Sequence, residues 1–212
     1  MLKKGCIAII ARMGSKRLNN KHLLKINNEP IIGFLLKRLN FEFKKEISNG
    51  LLNIFICTGS EDKNKDFRKI SKDYNSCIYF GEDDNIPRRM HNLLIKKKLD
   101  FVLAIDGDDI LCSTEGARLV INKLQQNVHY SKTINFPFGM NSIGFSEQFI
   151  GKSLEKIKHK KLETGWGWIF DEKQCDFVSG DFQNDERLRF TLDYEQDFIF
   201  FKKIILNLKN IK

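Results

Sequence analysis

The segment from Gly5 to Phe34 constrains the fold of this chain more than any other stretch. It begins with a short continuous apolar run, Cys6 to Ala11, which is typical of a buried β-strand. A cationic loop follows directly, and it contains the residues Arg12, Gly14, Ser15, Lys16, Arg17 and Lys21. After Pro30 the apolar residues take helical spacing. This order of strand, cationic loop and helix predicts a polyphosphate ligand, because it places N–H groups and positive side chains at the carboxyl edge of a sheet.

Two common phosphate-binding motifs are absent from the sequence. It contains neither the P-loop pattern GxxxxGKS/T nor the dinucleotide fingerprint GxGxxG. A solvated basic loop is the alternative explanation for the sequence ARMGSKR and the lysine that follows it. The four cations and the glycine between Arg12 and Lys21 favour anion binding, because they come directly after a hydrophobic strand.

Strand-like runs and helix-like patterns alternate along the first 126 residues. The predicted strands are Cys6–Ala11, Leu51–Cys57, Ser76–Phe80 and Phe101–Ile105. The predicted helices are Ile31–Lys45, Lys63–Tyr74, Ile86–Leu99 and Thr114–Gln126. This alternation is typical of an α/β fold, here a three-layer α/β/α Rossmann-like sandwich around a mostly parallel mixed sheet.

The pattern changes after about residue 130, where glycine and aromatic residues become frequent. We expect an inserted β-rich arm at about 130–170, with a short strand at Thr133–Phe136, inside a single domain that spans 1–212. Trp166 and Trp168 in this arm are assigned to an interface rather than to a sugar-binding wall. Helical spacing from Tyr194 to Leu208 predicts a terminal helix.

Two segments place carboxylates beside predicted strands. The strand in FVLAIDGDDIL ends at Asp106, Gly107, Asp108 and Asp109. Such carboxylates suit Mg²⁺ beside a phosphate, because hard cations prefer oxygen ligands, although an Asp-rich turn explains the same residues. In the later segment ERLRFTLDYEQDF, the position of Asp193 suits the N-cap of the terminal helix.

Charge and cysteine content limit the classes of protein to which this chain can belong. The chain has 36 Lys and Arg residues against 27 Asp and Glu, a formal net charge of +9 that attracts anions. Basic and acidic residues are interspersed, which disfavours nucleic acid as a partner. The five cysteines are scattered without a CxxC pair, so a reducing cytoplasmic location is expected. The first apolar run is interrupted too early, at Arg12, for a membrane span.

The cationic loop, together with NEPII downstream, resembles the nucleotide-binding signature of bacterial sugar cytidylyltransferases. This family includes the acylneuraminate and Kdo cytidylyltransferases, and the spore-coat-polysaccharide branch is the most similar. The matching residues are Arg12, Met13, Gly14, Ser15, Arg17, Leu18, Lys21, Leu24 and Pro30. Asn19 and Asn20 stand where the family usually has Pro-Gly. Both acidic segments also resemble family motifs, the second through Arg189, Thr191, Asp193 and Asp197.

The resemblance implies a GT-A-like nucleotidyltransferase that moves CMP from CTP to a sugar or sugar-acid hydroxyl for surface-glycan biosynthesis. It implies Mg²⁺ as cofactor, bound by Asp108 and Asp193, and a homodimer formed through the middle region. The implied catalytic residues are Arg12, Lys21, Asp108 and Asp193. The implied nucleotide-binding residues are Ala11, Arg12, Met13, Gly14, Ser15, Arg17, Lys21, Thr58, Ser60, Gly81, Arg89 and Asp106, and the implied acceptor-binding residues are Asn141, Glu163 and Arg189.

Departures from the family pattern keep other functions open. Asn141 and Ile143 stand where relatives carry acidic residues, so the acceptor could instead be a phosphorylated small molecule or a phosphonate. Phe80 stands where many members carry Arg, which removes one expected contact with base or phosphate. A non-catalytic protein that binds nucleotide or nucleic acid is the alternative of another class.

Overall fold

The structure is a computed structural model, and it describes residues 2–157, 161–180 and 187–208. Its strands are β1 (Gly5–Ile10), β2 (Lys25–Ile26), β3 (Glu29–Pro30), β4 (Leu52–Thr58), β5 (Cys77–Phe80), β6 (Phe101–Asp106), β7 (Tyr130–Ile134), β8 (Ile143–Ser146) and β9 (Asp176–Ser179). Its α-helices are α1 (Ile31–Glu42), α2 (Lys44–Ser48), α3 (Glu61–Asn64), α4 (Phe67–Asp73), α5 (Ile86–Lys97), α6 (Thr114–Gln125), α7 (Glu147–Glu155) and α8 (Glu195–Asn207). Short 3-10 helices cover Lys21–Leu23, Trp166–Ile169 and Glu172–Gln174.

Among the described residues, seven strands form one sheet in the order β5-β4-β1-β6-β8-β7-β9. The strands β5, β4, β1 and β6 run parallel, whereas β8 is antiparallel to both of its neighbours. Ile10 at the end of β1 lies opposite Cys57 in β4 and Asp106 in β6. The carboxyl ends of these strands therefore meet at one edge of the sheet, together with the loops that follow them.

The core forms two apolar layers on opposite faces of the sheet, because side chains alternate along each strand. Ile7 and Ile9 of β1 pack in a cluster with residues of α1, α4 and α6. Cys6 and Ala8 pack on the other face, in a cluster with residues of α5 and α7. The predicted three-layer α/β/α class with a mostly parallel mixed sheet is confirmed.

A third, smaller apolar cluster lies beside the edge of the sheet where the strands end. It joins the β2–β3 hairpin, the loop after β6 and the terminal helix α8. Its buried members are Ile26, Ile31, Ile110, Leu192, Phe201 and Ile205. Charged residues that are discussed below lie within these segments or next to them along the chain.

The structure differs from the sequence-based expectations in three regions. The helix predicted at Lys63–Tyr74 is divided into α3 and α4, and the one at Ile31–Lys45 ends at Glu42 before the short α2 begins. The segment 130–170, expected as an inserted arm, contributes β7 and β8 to the main sheet and continues into α7. Pairing of β8 with β6 draws this segment into the sheet. Within the described ranges, no helix is long and apolar enough to cross a membrane.

Candidate active site

Lys21 brings two distant carboxylates together at the carboxyl edge of the sheet. Its ammonium group contacts Asp108 Oδ2 and lies 3.2 Å from Asp193 Oδ1. Lys21 and Asp193 are each only 7% exposed. Asp108 follows β6, and Asp193 comes just before α8, so residues far apart in sequence share one cationic partner.

Backbone contacts fix the relative position of these two carboxylates. The N–H of Leu192 donates to the carbonyl oxygen of Asp108 at 2.9 Å. This hydrogen bond holds the segment before α8 against the loop after β6. Leu192 itself is fully buried in the third apolar cluster. Gly107 allows the loop after β6 to pack closely against the end of β1, because an added Cβ would lie 2.9 Å from the Cβ of Ala11.

Asparagine replaces glycine at the turn that leads into Lys21. Asn20 adopts φ 48° and ψ 34°, a left-handed conformation that asparagine tolerates better than most residues. The 3-10 helix Lys21–Leu23 starts immediately afterwards. The substitution of Pro-Gly by Asn19-Asn20 is therefore compatible with a loop that directs Lys21 inward.

Two arginines complete the set of cations around Asp193. Arg17 contacts Asp193 Oδ1 at 2.7 Å, and Arg189 contacts Asp193 Oδ2 at the same distance. Asp197 caps the start of α8, since its Oδ2 accepts hydrogen bonds from the N–H groups of Asp193 and Tyr194 at 2.8 Å. The carboxylate of Asp193 is thus directed to cationic side chains, and the capping role belongs to Asp197.

A cavity of about 690 Å³ opens above this cluster. Arg12 reaches across it to form an ion pair with Glu163, in the segment that follows α7. The cavity is lined by the cationic loop, the end of β6, the start of α5 and three segments from the second half of the chain. The lining residues are Ile10, Ala11, Arg12, Ser15, Lys16, Arg17, Lys21, His22, Ile86, Arg89, Asp106, Asp108, Asp109, Phe138, Glu163, Thr164, Gly165, Trp166, Thr191 and Asp193.

Desolvation and neighbouring charges shift the pKa of three groups that line this cavity. Burial lowers the pKa of His22 to about 4, against the opposing effect of the Asp108 carboxylate, and its Nδ1–H donates to the carbonyl oxygen of Gly107 at 3.1 Å. Restricted contact with bulk water, and then repulsion from Asp108, raises the pKa of Asp106 to about 7. Desolvation, and then repulsion from Asp106 and Asp108, raises the pKa of Asp109 well above its usual value. His22 is therefore neutral at physiological pH.

Comparison with known proteins identifies the family. Residues 6–162 match the sequence profile of the cytidylyltransferases. The chain belongs to the cytidylyltransferase family. Membership makes the protein a nucleotidyltransferase, as the resemblance in the cationic loop and the acidic segments predicts.

This cytidylyltransferase is also similar to one sequence relative and to solved structures. A protein of Methanocaldococcus jannaschii described as uncharacterized is 28% identical over 200 residues, which covers 90% of this chain and 78% of the relative. A cytidylyltransferase structure from Leptospira borgpetersenii superposes with a TM-score of 0.84 at 21% identity and covers 99% of this chain and 89% of its own. A CMP:2-keto-3-deoxy-manno-octonic acid synthetase solved with CTP gives a TM-score of 0.69 at 11% identity and covers 96% and 98%. At these identities the two structures establish the fold.

Several predicted nucleotide-binding residues hold the loops of the cytidylyltransferase together. The N–H and hydroxyl of Ser60 both donate to the carboxylate of Asp83, at 2.7 and 3.0 Å. The N–H of Met13 donates to Asn64 Oδ1 at 3.0 Å, and the N–H of Gly81 donates to the carbonyl oxygen of Thr58 at 3.0 Å. These contacts tie the loops after β1, β4 and β5 to one another. Gly14 has open space where a Cβ would stand, with no atom of the described chain within 4 Å.

Other predicted site residues are engaged in contacts within the protein. Arg89 reaches the cavity, but its guanidinium donates to the carbonyl oxygens of Glu82, Cys57 and Asp83. Asn141 accepts a hydrogen bond from Thr133 and donates to Pro137, so its side chain stabilises the turn between β7 and β8. Arg189 binds Asp193 and Asp197 and so belongs to the charged cluster.

Sequence reasoning missed several residues on the walls of the cavity. Phe138 lines it from the β7–β8 loop, and the N–H of Phe190 donates to its carbonyl oxygen at 2.7 Å. Trp166, assigned to an interface, also lines the cavity and packs edge-on against Phe145, whereas Trp168 is 92% exposed. The aromatic residues in 135–170 were the sequence signal for these walls. Whether such a side chain faces the cavity, however, depends on tertiary contacts.

The two predicted metal ligands lie together, but the described ranges contain no group of three or more His, Cys, Asp or Glu side chains arranged to hold a metal ion. A site built on Asp108 and Asp193 therefore offers two carboxylates. Such a site leaves the remaining ligand positions to water or to the phosphate groups of a substrate.

Proposed function

We propose that this cytidylyltransferase transfers CMP from CTP to a hydroxyl group of a sugar or sugar acid, with release of pyrophosphate. The observation that carries the proposal is the contact of Asp108 and Asp193 with the same ammonium group, inside a cavity of about 690 Å³. Family membership and the likeness to a synthetase solved with CTP support the choice of nucleotide. Surface-glycan biosynthesis, the spore-coat-polysaccharide branch and a homodimeric state are parts of the same proposal.

The cationic loop supplies the groups that would bind the triphosphate. Arg12, Arg17 and Lys21 all line the cavity, and the loop lies at the carboxyl edge of four parallel strands. Their charges are balanced by Glu163, Asp108 and Asp193. These cations would neutralise the β- and γ-phosphates and stabilise the charge that develops on the leaving pyrophosphate.

The donor atoms of the cluster fit a divalent cation. Asp108 Oδ2 and Asp193 Oδ1 already share one positive partner, so both oxygens can serve a single cation. Mg²⁺ is commonly held by one or two carboxylates, with water and phosphate oxygens as its other ligands. We therefore assign Mg²⁺ to Asp108 and Asp193. When bound, it supplies charge neutralisation at the phosphates and acidifies a coordinated hydroxyl.

The reaction is an in-line displacement at the α-phosphorus. The acceptor oxygen forms a bond to this phosphorus while the bond to the oxygen that bridges to the β-phosphorus breaks. That bridging oxygen keeps the electron pair, and pyrophosphate leaves. The hydroxyl proton passes to water, so the chain needs no dedicated general base. Glu163, beside Arg12 at the cavity, is available to orient the acceptor.

Release of pyrophosphate over panels of triphosphates and acceptors tests the proposal. We expect Lys21→Ala and Asp108→Asn each to lower turnover by a factor on the order of 10²–10³ or more, because each removes a charge-stabilising group. Thermal unfolding should confirm that both variants remain folded. Lys25→Ala, which alters an exposed lysine on β2, is the matched control and should keep wild-type turnover. Near-normal turnover of either site variant would remove that residue from the mechanism.

A phosphorylated small molecule or a phosphonate is the second candidate acceptor. It is favoured by Asn141, whose side chain is occupied within its own turn and stands where relatives carry an acid. The acceptor panel separates the two candidates, since sugar acids and phosphorylated compounds are tested side by side. Stabilisation by CTP with Mg²⁺ but no turnover on any acceptor would instead indicate a non-catalytic nucleotide-binding protein.

A further inference from the structure

The side chain of Lys21 fills the position between the two carboxylates that we assign to the metal. Only 7% of the residue is exposed, and its ammonium group contacts Asp108 Oδ2 and lies 3.2 Å from Asp193 Oδ1. A divalent cation held by these two oxygens would meet the ammonium group at close range, where positive charges repel strongly. Lys21 in this position and a bound metal therefore exclude each other.

The charge balance of the cluster leads to the same conclusion. Among the described residues, the ion pairs around Asp193 join three cations and three carboxylates, whose formal charges cancel. They are Arg17, Lys21, Arg189, Asp108, Asp193 and Asp197. A divalent cation added alone, or a triphosphate added alone, unbalances this cluster. Each of the two ligands offsets the charge of the other.

We infer that Lys21 is an exchangeable counter-ion that bridges the metal-binding carboxylates in the free protein and transfers to the triphosphate when the metal takes its place. The inference rests on the proposed function, because it uses the same metal and the same substrate. The flexible stem of a lysine allows its ammonium group to change partners. Metal and triphosphate then bind cooperatively, since the metal releases Lys21 for the triphosphate and the triphosphate withdraws Lys21 from the metal-binding carboxylates.

Titration with Mn²⁺ in the absence of nucleotide tests the exchange. Electron paramagnetic resonance measures free Mn²⁺, which substitutes for Mg²⁺ at oxygen sites, and added Mg²⁺ should displace it. We expect Lys21→Met to bind Mn²⁺ at least about tenfold more tightly than the wild type, a factor within the usual range of linked sites. Lys25→Met, which removes an exposed lysine, should bind like the wild type. Equal or weaker binding by Lys21→Met overturns the inference.

A double variant shows where the added Mn²⁺ binds. Lys21→Met combined with Asp108→Asn should lose the gain in affinity, because one of the two carboxylates is gone. Retention of the gain would mean that the metal binds elsewhere, and it would overturn the inference. If Lys21→Met is too unstable for titration, its melting temperature is measured with and without Mn²⁺. A larger rise than in the wild type supports the exchange, and an equal or smaller rise overturns it.

Binding of CTP by the wild-type protein in the presence of Mn²⁺ separates this inference from the proposed function. If CTP binds but Lys21→Met gains no affinity for Mn²⁺, only the exchange fails. If CTP does not bind, the proposed function fails, whatever the Mn²⁺ titration gives.

Discussion

Replacing His22 with glutamine should change how the stability of this cytidylyltransferase responds to acid. His22 is 2% exposed, and burial lowers its pKa to about 4, compared with about 6.5 in an unfolded chain. At pH 5 the unfolded chain therefore binds a proton at this site while the folded protein does not. Stability is lost as the pH falls from about 6.5 to about 4, and proton linkage gives a loss of about 2 kcal/mol between pH 7.5 and pH 5.

Urea unfolding of both proteins at pH 7.5 and pH 5 measures this contribution. His22→Gln removes the titrating ring, so the stability advantage of the wild type over this variant should shrink by about 2 kcal/mol at the lower pH. Contributions of other groups are common to both proteins and cancel in the difference. His129→Gln, which removes an exposed imidazole, is the control and should keep the wild-type slope. An unchanged pH dependence in His22→Gln would refute the argument from burial.

Two further substitutions test Gly139, which follows the lining residue Phe138, and the ion pair of Glu163 across the cavity. Gly139→Ala should destabilise the protein by at least about 1–3 kcal/mol in urea unfolding, because Gly139 has φ +88° and a Cβ there would lie 2.4 Å from the backbone of Phe190. Gly167→Ala, with no described atom within 4 Å of an added Cβ, should stay close to wild type, and equal losses would contradict this reasoning. Glu163→Gln should tighten CTP binding by roughly two- to fivefold in calorimetry, because it frees Arg12 from a partly exposed ion pair of the usual modest strength. Weaker binding would show that Glu163 assists the nucleotide instead of competing with it.

The sequence was sufficient to predict the parallel half of the sheet. The predicted strands agree with β1 and β6 to within one residue at each end, since they were placed at Cys6–Ala11 and Phe101–Ile105. They could be predicted because continuous apolar runs bounded by polar loops are typical of buried strands. The carboxyl edge followed from that pattern, and both Arg12 and Asp106 line the cavity at this edge. Helix breaks were harder to predict, because apolar spacing continues across Phe43 although α1 has already ended.

The pairing of Asp108 with Asp193 was predicted from resemblance to a family, since no local pattern connects them. In the structure their meeting depends on the hydrogen bond from Leu192 to Asp108 and on the burial of Leu192, which sequence spacing does not reveal. In the second half of the sheet the predicted strand Thr133–Phe136 overlaps β7, but β8 was not predicted, for a similar reason. β8 has only four residues, Ile143–Ser146, and its place beside β6 is decided by pairing rather than by its own composition.

The small apolar cluster beside the candidate active site makes α8 a structural requirement for the proposed reaction. Phe201 and Ile205 of α8 pack with Leu192, and the next residue along the chain is Asp193. A premature stop codon ahead of α8 would leave the seven-stranded sheet intact but remove the support that holds this carboxylate in place. The truncated protein would fold but lack activity, so substitutions that displace α8 would inactivate it without altering the cationic loop.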